Sequence, residues 1–154
     1  MNYELMIKQA EYLGEDERDF VPYLANISAL IYNSLDRLNW AGFYLMDRGS
    51  LLLGPFQGKV ACIRIVIGRG VCGTAVAEDR TIRVADVHEF PGHIACDSAS
   101  ESEIVIPIHS DDGIVGVLDI DSPVKERFSP EDEEGLTALV KVIEGCCDFS
   151  RLRI

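Results

Sequence analysis

Positive charge is scarce in this chain: 14 Lys and Arg stand against 26 Asp and Glu, a formal charge of -12. A surface of that sign repels phosphate backbones and anionic headgroups. Nucleic-acid and membrane-surface partners are therefore not expected. Long hydrophobic runs are missing too. Nothing approaches the roughly 18 apolar residues of a membrane span, and the acidic start "MNYELMIKQAEYLGEDERDF" lacks the apolar centre of a signal peptide. The expected compartment is the cytoplasm. No CxxC pair, internal repeat, low-complexity tract or Pro/Gly/Ser linker interrupts the chain. In a reducing compartment a structural disulfide framework is not expected. The five cysteines Cys62, Cys72, Cys96, Cys146 and Cys147 are then packed, metal-bound or redox-active.

What is present suits one globular unit. Hydrophobic residues make up 47% of 154 positions, enough to exclude disorder and to build one domain over residues 1–154. "YELMIKQAEYLG" reads as a short helix. "GEDERDFVPYLANISALIYNSL" reads as a second, with Phe20, Leu24, Ile27 and Ile31 at helical spacing and Pro22 in its first turn. "NWAGFYLMDRGSLLLGPF" switches to period two around "DRGS", a hairpin. "VACIRIVI" reads as a strong strand and "TIRVAD" as a short one. "GRGVCGTAVAED" passes from turn glycines into a helix that starts near Cys72. Residues 86 to 103 form a long polar loop, "EIVIPIHSDDGIVGVLDIDS" a hairpin, and "FSPEDEEGLTALVKVIEGCC" a closing helix with Ser129 as cap and Pro130 at its first position. This order suggests an α+β domain with a largely antiparallel sheet.

Cys72 and Cys96 sit in exposed-type surroundings, whereas Cys146 and Cys147 lie in the last helix and read as packed. Cys62 also reads as a buried strand residue. A zinc site from His88, His93 and Cys96, with Cys62 or Cys72, matches no common ligand spacing. A Cys–His hydrolase lacks a recognisable partner order. "GRGVCG" lacks the lysine and hydroxyl of a phosphate loop. "GVLDIDS" places Asp119 and Asp121 two apart on one strand face. Such a pair repels unless a cation lies between, so it reads as a solvated strand end or as a receptor for an ammonium group or a metal ion; magnesium and calcium want more oxygen ligands. Trp40 and Tyr44 share a strand face and read either as an aromatic core pair or as the wall of a slot whose floor is the gap left by Gly42.

"NWAGFYL", "LGPFQGKVACIRI", "GRGVCGTA", "DVHEFPGHIACDSASESEIVIPI", "GVLDIDS" and "RFSPEDEEGL" together resemble the free methionine-(R)-sulfoxide reductase family of GAF domains, over about residues 20 to 145. The resemblance implies a GAF fold, with a single six-stranded antiparallel sheet flanked by helices on both sides. It implies Cys96 as nucleophile, Cys62 as resolving cysteine and Cys72 as a second resolving or relay cysteine. It implies that Glu103, Asp119 and Asp121 grip the substrate ammonium, that Trp40 and Tyr44 wall the pocket, and that backbone around Ser98 to Ser100 holds the substrate carboxylate. Free methionine sulfoxide as substrate, thioredoxin as reductant, no metal or organic cofactor and a homodimer through the terminal helices follow from the same likeness. The rival reading is a non-catalytic GAF sensor that binds a small ligand.

Overall fold

The computed structural model describes residues 2–93 and 98–154. Cys96 lies outside them. Two helices open the chain. Helix α1 (Tyr3–Asp16) is capped by the Asn2 side chain, which accepts from the Leu5 N–H, and α2 (Phe20–Ser34) by Asp19, which accepts from Val21. Short polar side chains satisfy the otherwise unpaired first N–H groups of a helix. Strands β1 (Trp40–Asp47) and β2 (Ser50–Gly58) then form the hairpin expected around "DRGS". Strand β3 (Arg64–Ile65), helix α3 (Gly70–Glu78) and strand β4 (Ile82–Val84) follow. A 3₁₀ turn (Val87–Glu89) breaks the polar loop before β5 (Ser102–Ser110) and β6 (Gly113–Ser122). Helix α4 (Pro130–Cys146) closes the fold behind a Ser129–Asp132 capping box, with Pro130 in its first turn. Among the described residues no helix is long and apolar enough to cross a membrane.

The six strands form one antiparallel sheet in the order β3-β2-β1-β6-β5-β4. Alternation in β1 assigns its two faces. Ala41, Phe43 and Leu45 enter a core shared with α1, α2 and α4, while Trp40, Tyr44 and Met46 enter a second core shared with α3. Each large apolar side chain so buried contributes about 1.5–3 kcal/mol. Helices therefore cover both faces, as the α+β reading requires.

The strong strand expected over "VACIRIVI" shrinks to two residues. Arg64 and Ile65 pair with Leu52 and Leu51 at the sheet edge. Val60, Ile63 and Val66 point outward, at 87, 69 and 62% exposure. An apolar run reads as a buried strand only if something covers it, and here only Ile65 is fully covered. Cys62 accordingly lies half-buried in irregular backbone ahead of β3, not inside a strand. Cys72 departs from expectation in the other direction. It is buried, because the first turn of α3 packs its apolar side onto the sheet. Cys147 is buried and Cys146 half-buried at the end of α4, and both are free thiols, in line with the packed reading.

Candidate active site

Three acids on adjacent strands share the face opposite the α1–α2–α4 core. In the register, Asp121 lies between Trp40 of β1 and Glu103 of β5, and Asp119 lies between Gly42 and Val105. The strand period of two puts all three carboxylates on one side. They line a cleft, open at its mouth, together with Cys72, Arg69, His93 and Ser100. Glu103 and Asp119 are buried, at 5 and 6% exposure. The Cys72 Sγ and one carboxylate oxygen from each of Glu103 and Asp119 lie within 4.8 Å of one another. Such a set can hold an ammonium group or a metal ion.

Burial pushes the Glu103 carboxyl well above its usual range, and the neighbouring Asp119 and Asp121 add to the rise. Burial also raises Asp119, against hydrogen bonds to Glu103 and Cys72 that pull it down. The Cys72 thiol is raised by burial first and by the three acids next. One oxygen of the cluster, Asp119 Oδ1, is buried without a hydrogen-bond partner among the described residues. A buried acceptor in that state costs about 1–3 kcal/mol until a donor reaches it. His93 Nε2 lies 3.8 Å from Glu103 Oε1, and burial lowers the imidazole's affinity for a proton.

The aromatic wall is a stack. Trp40 lies between Tyr44 (ring centroids 5.8 Å apart) and Phe56 (5.1 Å). The slot expected above Gly42 is filled: a Cβ there would meet the Phe56 Cβ at 2.3 Å and the Pro55 carbonyl oxygen at 2.8 Å. The polar tips of the rings have a different job. Trp40 Nε1 donates to the Lys59 carbonyl (3.1 Å), and the Tyr44 hydroxyl donates to the Cys62 carbonyl (2.9 Å). They tie the irregular segment before β3 to the sheet. Cys62 in that segment is disulfide-bonded, whereas Cys72 is a free thiol.

The structure thus brings Cys72, Glu103, Asp119, Asp121, Trp40 and Tyr44 to one cleft, with Cys62 beside it on the tethered segment. The expectation for Cys96 falls outside the described residues. Of the histidines weighed as zinc ligands, His93 lines the cleft, but His88 is exposed and paired with Asp86 (2.9 Å) and Glu101 (3.3 Å). Sequence reasoning missed Arg69. It precedes α3, which opens onto the cleft with no side-chain cap. The signal was there in "GRG", a basic residue at a helix start that presents free N–H groups. Ser100 is buried and accepts from Asn39 Nδ2 at 3.0 Å.

The GAF domain family profile matches residues 20–146. The chain is 59% identical over 128 residues to the free methionine-R-sulfoxide reductase of Escherichia coli, covering 83% of this chain and 78% of that protein. It is 46% identical to the Saccharomyces cerevisiae protein of the same name, covering 95% and 86%. The structure of fRMsr of Staphylococcus aureus in complex with substrate superimposes with a TM-score of 0.91 at 56% identity, covering 96% of each chain.

Proposed function

Because the chain belongs to the free methionine-R-sulfoxide reductase family of GAF domains, we propose that it reduces free L-methionine-(R)-sulfoxide to L-methionine. The observation that carries this reading is Asp119 Oδ1, buried beside Glu103 and Cys72 with no hydrogen-bond partner among the described residues. An ammonium group supplies the missing donor and offsets the crowded negative charge. Arg69 and the uncapped start of α3 face the same cleft and suit the substrate carboxylate. Amine and carboxylate together select a free amino acid. The aromatic stack suits the methyl-sulfur end.

The chemistry assigns one role to each thiol. The Cys96 thiolate attacks the sulfoxide sulfur, the sulfoxide oxygen passes to Cys96 as a sulfenic acid, and methionine leaves. The Glu103 carboxyl, whose hold on its proton burial strengthens, supports general-acid assistance to that oxygen. The Cys62 thiol then attacks the sulfenic sulfur, expelling water and forming a Cys62–Cys96 disulfide. Cys62 suits this role better than Cys72, whose burial among acids keeps its thiol protonated. Thioredoxin returns both cysteines to thiols. No metal or organic cofactor enters these steps.

The test is NADPH oxidation in a thioredoxin-coupled assay. Free methionine-R-sulfoxide, the S-epimer and an N-acetylated R-sulfoxide serve as substrates, with Cys96→Ser as control. Turnover of only the free R-epimer is expected, and the blocked amine should cost about 10⁴-fold. No turnover by the folded, reduced protein would leave a ligand-binding GAF sensor as the better reading.

A further inference from the structure

The segment around Cys62 differs from the rest of the molecule in two independent ways. Eight large hydrophobic residues are exposed among the described residues, and three of them, Val60, Ile63 and Val66, fall within four positions of Cys62. The chain is also strongly acidic, yet no Asp or Glu occurs between Asp47 and Glu78, while Arg48, Lys59, Arg64 and Arg69 do. Arg69 belongs to the cleft and Arg64 pairs with Asp47, which leaves Lys59 as the charge beside the apolar patch, in a stretch free of acids on an otherwise anionic protein. Val60 borders the cleft, but packing does not explain Ile63 and Val66, which face solvent just before and just after the two-residue edge strand β3.

We propose that this patch is the docking surface for the protein dithiol that resets the enzyme. The inference rests on the disulfide cycle proposed above. The occupant is a protein whose reactive thiols are rimmed by apolar and acidic residues. The apolar centre supplies burial. Lys59 supplies charge complementarity against an acidic partner, whereas Arg64 is already paired with Asp47 at 3.0 Å. Docking here presents the partner's thiolate to Cys62. The thiolate attacks Cys62 Sγ, forming a mixed disulfide and releasing the Cys96 thiolate. The partner's second thiol then attacks its own sulfur in the mixed disulfide, and Cys62 leaves as a thiolate. The partner loses two electrons and two protons, and the enzyme gains both.

The experiment compares two reductants on the full chain. Thioredoxin with its NADPH-dependent reductase is the protein dithiol, and dithiothreitol is a small dithiol that needs no docking surface. Ile63→Ser/Val66→Ser should lower kcat/KM for thioredoxin about tenfold, as loss of an apolar interface centre does. Lys59→Glu, which removes no packed group, should lower it further as salt falls. Turnover driven by dithiothreitol should stay within about twofold of wild type for both variants. Equal losses with both reductants, or wild-type kcat/KM for thioredoxin in both variants, would overturn the docking surface. Absence of dithiothreitol-driven turnover in the wild-type protein would instead overturn the catalytic reading.

Discussion

Tyr44→Phe separates two jobs of one ring. The ring stacks on Trp40 at 5.8 Å, and its hydroxyl donates to the Cys62 carbonyl at 2.9 Å. Phenylalanine keeps the stack and deletes the hydrogen bond. A neutral bond of this kind contributes about 1 kcal/mol net. Trp40 Nε1 still holds Lys59, so the segment is loosened rather than released. If that bond preorganises Cys62 for attack on the sulfenic acid, its loss slows disulfide formation about fivefold, since about 1.4 kcal/mol is tenfold. Methionine release precedes this step and should change less than about twofold. Rapid-quench single turnover measures both, with dimedone trapping the sulfenic acid and mass labelling counting free thiols. Unchanged disulfide formation with slowed methionine release would refute the tether and return Tyr44 to the pocket wall alone.

Two further variants test the acids and the aromatic stack. Glu103 has a folded-state pKa raised by burial, so the stability it contributes is full below the ordinary carboxylate range and is lost as pH rises through the folded value. The empty protein should therefore melt lower at pH 8 than Glu103→Gln does, by at least about 2–4 °C, the equivalent of 1 kcal/mol in a chain of this size; parallel melting profiles across pH would count against it. In Gly42→Ala the new methyl meets Phe56 and the Pro55 backbone, an overpacking that costs about 1–3 kcal/mol. Its melting temperature should fall, and Trp40, the only tryptophan, should report the displaced Phe56 by a changed emission; an unchanged spectrum and melt would show that the stack absorbs the methyl.

Local patterns carried most of the fold. Both hairpins and α4 were legible because turn residues, alternation and capping signals agree over short distances. The Asp119–Asp121 pair was legible for the same reason, since period two fixes its shared face. Glu103 could be placed beside them only by resemblance, because its position depends on the β5–β6 register rather than on nearby sequence. "VACIRIVI" misled because composition alone does not reveal that an edge segment is left uncovered. The Gly42 slot failed because Phe56, 14 residues away, fills it through strand pairing. Arg69 was overlooked because a helix start becomes a site only when tertiary structure turns it toward a cleft.

The two faces of the sheet are unequal. Among the described residues, twenty-three buried hydrophobic residues make up the core beneath α1, α2 and α4, against thirteen on the side of the cleft. The closed side can carry the cooperativity of the whole domain, while the cleft side tolerates three mutually repelling acids and a nine-residue helix. Local frustration is thereby quarantined. Amide exchange should be slowest in strand residues facing the larger core and fastest in the segment from Lys59 to Arg69, so the segment that carries Cys62 is also the part the rest of the fold depends on least.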